Sequence, residues 1–446
     1  MEQPRHLTNT SFLGHPKGLF ILFLTEMWER FSFYGMRAIL VLYLVDQAKG
    51  GLGWTNANAL KLYGIYGMAV YVLGIPGGLI ADRYIGQKAA VLWGGILACI
   101  GHFLLAAQNV MLFMVGLFFI AAGTGLLKPN ISTLVGSLYA IGDQRRDGGF
   151  TIFYMGINIG AIVSSLVVGY VAQVYGWHYG FSIAGVGMLF GILIYLMGRK
   201  HLIGMGISSR ATLEKQTAQA SIKINKVPFT KEEKDRIWAL VLSFIGIFSF
   251  FMAFEQAGGL MNLYTDEYTN RYVFGWEVPA SMFQSLNPAF ILLLGPVVAI
   301  IWNRLAKRYK HISSFYKLGI GNIAVGIGFL FMVGAVLQRQ TPGIEKSSLH
   351  WLINAYLFHT IGELCLSPVS LSFVTKLAPQ RISASIMGAY FAAIGFSQLL
   401  AAWIGEKSES LGDLRTFQLI FCITLMVGLP FIIFNKKLAT LIHGAE

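Results

Sequence analysis

This sequence is short of charge. Asp, Glu, Lys and Arg make up 12% of its 446 residues, about half the roughly 25% usual in soluble domains. Hydrophobic residues make up 55%, and the mean hydropathy is +0.61. That deficit excludes an ordinary soluble globule and points to a polytopic membrane protein. Cysteine is nearly absent too. Cys99, Cys365 and Cys422 all fall in apolar stretches, so each reads as a small core residue and no disulfide or metal framework is expected. There is no His/Cys cluster at metal-ligand spacing, no G-x-S-x-G elbow and no phosphate loop, which argues against an enzyme and against any cofactor. Acid is the scarcer sign, 21 residues against 34 basic ones, for a net charge of +13.

A basic surplus can signal nucleic acid, so its distribution decides. Twelve candidate spans are expected at about 18–46, 57–81, 89–108, 110–138, 149–173, 178–198, 236–264, 278–303, 313–337, 349–377, 383–405 and 416–434. With the N-terminus inside, 24 of the 34 Lys and Arg fall in cytoplasmic segments and seven outside. Three, Arg30, Arg37 and Lys128, lie deep within spans, those near a span end being counted with the adjacent loop. This is the positive-inside bias; it accounts for the charge without nucleic acid and puts both termini in the cytoplasm. The expected location is a plasma membrane, the inner membrane of a bacterium. The start, MEQPRHLTNTSFLGHPK, has no small-residue cleavage site after its apolar run, so the first helix is expected to be an uncleaved anchor. The organisation is then a six-helix bundle over 1–198, a polar cytoplasmic linker over 199–235 and a second six-helix bundle over 236–446. An all-α membrane protein of two such halves has the major facilitator layout, with its site expected where the halves meet.

The first span carries EMWERFSFYGMR, Glu26 to Arg37. At 100° per residue Glu26, Arg30, Tyr34 and Arg37 fall within about 80° of one another, with Glu29 about 60° to the other side. Each charge at bilayer depth costs roughly 2.5–3.5 kcal/mol on insertion scales, so this stripe needs partners or water. A mutually neutralised stripe that only fixes packing competes with a polar translocation path, and the path is the preferred reading.

Further motifs follow. GGLIADRYIGQK, Gly77 to Lys88, resembles the facilitator-superfamily turn after span two. Its glycines permit close helix approach, Asp82 can accept bonds from a neighbouring helix end, and Arg83 faces the cytoplasm, so the pair reads as a conformational latch. Lys128 is followed by Pro129, which can kink the helix; position alone leaves Lys128 open between snorkelling and a site role. Tyr154 and Asn158 share a face of span five, and Gly156 and Gly160 have the spacing of a close helix contact. In the second half span seven carries Glu255, span eight Gln284 and Asn287, and span ten Glu363 and Ser367, and Glu255 and Glu363 are the only acids inside their spans.

Together these residues resemble the proton-dependent oligopeptide transporter family. Glu26, Glu29, Arg30, Phe31, Tyr34 and Gly35 match its ExxERFxYYG signature, and Phe150, Phe153, Tyr154, Ile157, Asn158 and Gly160 match its fifth-span signature. Lys128, the FEQ from Phe254, the QSLNP from Gln284 and the GELCLSP from Gly362 also fit. Three departures stand out: Phe33 replaces the signature's first tyrosine, and Phe251 and Tyr390 stand where relatives often carry tryptophan. The short linker also excludes the two extra helices that many bacterial relatives have between the halves.

The resemblance implies a proton-coupled symporter that imports di- and tripeptides by alternating access and works as a monomer, with protons as the coupling ion. It implies that Arg37 and Lys128 hold the peptide carboxylate and that Glu363, aided by Asn287, holds the ammonium. Tyr34, Tyr71 and Asn158 would bond the peptide backbone, with Tyr154, Gln284 and Ser367 also in the binding set. Glu26, Glu29, Arg30 and Glu255 would carry the proton, with Glu255 and Arg37 across the outer mouth of the cavity. The alternative on the same fold is another small polar solute or drug: nitrate, another anion, or efflux by antiport.

Overall fold

In lipid a backbone must satisfy its own N–H and C=O groups, so apolar runs of this length fold as helices. The structure, a computed structural model, describes residues 11–140, 143–202, 229–309, 312–379 and 382–444. Residues 1–10, with most of the expected cytoplasmic start, and 203–228, most of the expected linker, lie outside them.

The first six long helices are α1 (Lys17–Val45), α2 (Asn56–Ile80), α3 (Gln87–Leu105), α4 (Val110–Ser137), α5 (Arg145–Tyr175) and α6 (Trp177–Gly198). After the connector come α7 (Lys231–Phe254), the short α8 (Leu260–Tyr268), α9 (Leu286–Tyr309), α10 (Ser314–Arg339), α11 (Leu349–Leu377), α12 (Ser383–Leu411), α13 (Asp413–Ile433) and the terminal turn α14 (Asn435–Ala439). Among the described residues eleven segments are long and apolar enough to cross a membrane. The twelfth span is α1, 29 residues long and set apart only by its charges.

Local chemistry sets the ends. Asn109 caps α4 by accepting from the N–H groups of Met111 and Leu112 at 2.9 and 3.1 Å. A capping box between Thr230 and Glu233 starts α7. Gly412, at φ 78°, turns α12 into α13 with its own N–H bonded to the Ser408 carbonyl at 2.8 Å.

Small residues set the spacing. A Cβ on Gly94 of α3 would lie 2.6 Å from the Gly123 carbonyl of α4, and one on Gly101 would lie 2.7 Å from that of Gly116. These two helices therefore approach backbone to backbone. Gly77 of α2 lies against Gly125, whose carbonyl loses its helical donor because Pro129 has no N–H. Gly78, expected to share that role, faces open space. Gly156 and Gly160 of α5 lie against Phe23 and Met27 of α1, the contact that their spacing implied.

Contacts divide the chain into two compact units. The first is Met1–Ile39 with Ala69–Ile224, and the second is Leu40–Met68 with Asn225–Glu446. This differs from a cut at the linker, because the ends of α1 and α2 and the turn between them go with the second unit. The reason is packing. A Cβ on Gly67 would lie 2.8 Å from Gln398 Oε1 of α12, Gly64 abuts Ala402, and Glu409 accepts from the Ala57 N–H at 2.9 Å.

Two other expectations change. The seventh span is not one helix: α7 stops at Phe254, a 3-10 turn covers Glu255–Ala257, and the chain restarts as α8 after Gly258 and Gly259. Cys99 and Cys365 are buried, but Cys422 is exposed, because it lies on the uncovered face of α13.

Candidate functional site

In the first unit the charges of α1 collapse onto one another. Glu26, Glu29 and Arg30 are each no more than 2% exposed. The Arg30 Nε lies 3.1 Å from Glu26 Oε1 and also pairs with Glu29 Oε2. The Arg30 guanidinium lies 5.2 Å from the Phe33 ring centre and 5.9 Å from that of Tyr34. The departure at Phe33 thus keeps an aromatic face for the cation and loses only a hydroxyl. Lys128 is half-buried and sits 4.7 Å over the Tyr71 ring. Its charge is felt by both glutamates, yet it makes no ion pair among the described residues. Two acids and two bases share this part of the unit, and their formal charges sum to zero. Arg37, one turn beyond Tyr34, is half-buried, as is Tyr34.

On α5, Asn158 is buried and donates to the Tyr154 carbonyl at 2.9 Å, while the Tyr154 side chain is exposed. The amide therefore spends a donor on its own helix. Asp82 and Arg83 lie in a π-helical continuation of α2, Ala81–Ile85, and both are exposed. Asp82 Oδ1 accepts from the Gln87 side chain, the first residue of α3, at 2.9 Å.

In the second unit one carboxylate stands differently. Glu363 of α11 is half-buried; its Oε2 accepts from Asn287 Nδ2 at 2.8 Å, and the same amide donates to Thr360 Oγ1 at 3.1 Å. Glu363 makes no ion pair with any described residue. Asn287 is oriented because it opens α9 directly after the 3-10 turn Ala280–Ser285, which carries the half-buried Gln284. Ser367 is half-buried one turn after Glu363 and its carbonyl accepts from Ser370 Oγ at 3.0 Å. Glu255 is buried at the head of the 3-10 break, and the next residue, Gln256, donates to the Ala401 carbonyl at 2.9 Å.

Sequence reasoning missed Thr360, although it lies three residues before Glu363 on the same helix and so was legible from spacing. It also missed Gln398 and Glu409, which hold Leu40–Met68 in the second unit and which no local pattern marks. No group of three or more metal-ligating side chains occurs among the described residues.

The profile of the POT family matches residues 88–228 and 207–409. The chain is 36% identical to the peptide transporter YePEPT of Yersinia enterocolitica, with 92% of each covered. It is 34% identical to a di-/tripeptide transporter of Lactococcus lactis, covering 97% of this chain and 98% of the relative. Those alignments run over 471 and 490 positions, more than this chain's 446, and the profile matches in two pieces that meet at 207–228. The relatives thus carry additional residues that this shorter chain lacks. Among solved structures, a peptide transporter POT in complex with sulfate is 35% identical with TM-score 0.88, covering 98% of this chain and 97% of that one. A POT family transporter in complex with 5-aminolevulinic acid is 32% identical with TM-score 0.86, at 96% and 98%.

Proposed function

Because this chain belongs to the POT family, a family of multi-pass membrane transporters with the major facilitator fold, we propose that it is a proton-coupled symporter importing di- and tripeptides by alternating access. One observation carries this reading. Within its spans each unit holds a charge, of opposite sign in the two, that has no ion-pair partner among the described residues: Lys128 in the first and Glu363 in the second. A short peptide is a zwitterion and supplies the complement of both. Its carboxylate would go to Lys128 and Arg37, and its ammonium to Glu363 as held by Asn287. Tyr34, Tyr71 and Asn158 would bond the peptide backbone, with Tyr154, Gln284 and Ser367 also in the binding set, leaving side chains loosely read. An anion such as nitrate would use the bases and leave the acid at Glu363 without a role, so the zwitterion is favoured.

Coupling follows from charge balance. Glu26, Glu29, Arg30 and Lys128 sum to zero; a peptide carboxylate arriving at Lys128 adds one negative charge, and one proton on Glu26 or Glu29 restores neutrality. Substrate and proton would thus stabilise the same state. Glu255 would add a proton-linked step in the second unit, and Asp82 with Arg83 would serve as a latch. No cofactor enters this scheme, a monomer suffices, and the setting is a bacterial inner membrane with both termini cytoplasmic.

The test is uptake of labelled dialanine into proteoliposomes. One proton moves one charge, worth about 2.3 kcal/mol per 100 mV, plus about 1.4 kcal/mol per pH unit. Uptake should be concentrative under an inward proton gradient and collapse on adding an uncoupler. Glu29→Gln and Glu255→Gln should each lose accumulation but keep counterflow, which needs no net proton movement. Accumulation that survives the uncoupler would overturn proton coupling, and failure of dialanine to exchange at all would overturn the substrate class.

A further inference from the structure

Among the described residues two β-hairpins accompany the helices, one before α1 and one after α8, and both turn on the same chemistry. β1 (Ser11–Phe12) pairs antiparallel with β2 (His15–Pro16), and β3 (Tyr272–Val273) pairs with β4 (Trp276–Glu277). The turn residues are Leu13–Gly14 and Phe274–Gly275, with φ of 50°, 78°, 50° and 82°. A two-residue turn with both residues left-handed favours Asn-Gly or Gly-Gly, and a bulky apolar side chain in its first position is strained. Phe274 is nevertheless 104% exposed and Leu13 77%. Strain and exposure coincide on a large apolar side chain, and the turn itself would be better served by asparagine.

At the second hairpin the neighbours say what the tip meets. Tyr272 and Trp276 flank Phe274 and are exposed as well. The base is stiff: Arg271 Nη2 pairs with Asp266 at 3.1 Å and Glu277 at 2.9 Å, and its Nη1 donates to the Val278 carbonyl at 2.9 Å. The hairpin joins two membrane-spanning segments, Lys231–Tyr268 and Ala280–Arg308, so it stands within a few residues of the bilayer on both sides. The second of these is the segment least covered by protein, with 11% of its apolar window buried. Tyr and Trp concentrate at the membrane–water interface, where an apolar body and a polar edge are both satisfied.

We propose that Phe274, flanked by Tyr272 and Trp276, is a membrane anchor that inserts into the interfacial layer of the bilayer beside span eight. The strained residue is retained because its partner is lipid. The full-length protein carrying Cys422→Ser, to remove its exposed thiol, receives a spin label at Phe274→Cys or at Lys346→Cys and is reconstituted in phosphatidylethanolamine/phosphatidylglycerol vesicles. Lys346 is exposed in a loop bonded to the base of the hairpin, so it reports the aqueous side of the same face. The ratio of collisions with oxygen to collisions with a water-soluble nickel chelate should be about tenfold higher at position 274 than at 346. Equal ratios would place the tip in water and overturn the proposal; shielding from both reagents would place it against protein and overturn it too. Phe274→Asn supplies the second arm. It suits the turn, so the melting temperature in detergent should hold or rise, while a label at Tyr272→Cys should move toward water in vesicles. A Tyr272 label unmoved by Phe274→Asn would mean that the protein alone places the hairpin, which also overturns the anchor.

Discussion

α1 and α11 are both 29 residues long, and both carry acid in mid-helix. On α1 the two carboxylates and Arg30 enclose one another at no more than 2% exposure. On α11 Glu363 is half-buried, and its partner among the described residues is a neutral amide. The same residue type in mid-helix is therefore put to opposite uses. A sealed, self-neutralised group holds charge that a proton can shift without any ligand entering. An acid held by a neutral amide keeps its charge open to a cation that arrives.

The sharpest way to break that contrast is to remove the neutraliser. Arg30→Met leaves two buried carboxylates without their cation, and breaking such a set costs about 3–5 kcal/mol. The melting temperature in detergent should fall steeply, and an unchanged value would mean that the α1 acids do not depend on Arg30. Glu363→Gln should do the reverse, leaving stability nearly intact while dialanine binding weakens by about 1.5–3 kcal/mol, the worth of a hydrogen bond to a charged group. N-acetylated dialanine should lose less on this change, and equal losses measured by calorimetry would show that Glu363 does not face the ammonium. Thr360→Val is milder: it removes one acceptor from Asn287 and should weaken dialanine binding by about 0.5–1.5 kcal/mol. A loss as large as that of Glu363→Gln would mean that the threonine orients the whole pair.

The smallest expected effect lies outside the membrane. Hydrogen bonds from the Arg145 side chain and backbone hold the Asp143 carboxyl down at about 2. Its folded value lies below its unfolded one, so its contribution is present above the ordinary carboxylate range and is lost as pH falls through about 2. Asp143→Asn should lower the melting temperature slightly at pH 7, and the difference should shrink toward pH 2. A difference that persists there would assign it to packing.

Helix positions were legible because length and apolarity alone decide them in lipid; 349–377 matches α11 residue for residue. The break at Glu255 was not, because FEQAGG sits inside an apolar run and only the paired glycines hinted at it. The α1 cluster was legible from helical angles, since all its members lie on one helix. The bond between Asn287 and Glu363 spans 76 residues, and spacing cannot encode that; the resemblance to a known family supplied the pairing. The fate of Leu40–Met68 was illegible for the same reason, since it depends on Gly64 and Gly67 meeting α12.

That last segment bears on how the protein is made. The chain passes from one unit to the other at 39/40, again at 68/69 and a third time at 224/225. A ribosome delivers Leu40–Met68 long before α12 exists, so its small-residue face must wait in the bilayer uncovered while some 330 residues are added. Truncation before α12 would strand that face for quality-control proteases to find. Co-expressed halves split in the connector would have to reassemble through it before either could persist.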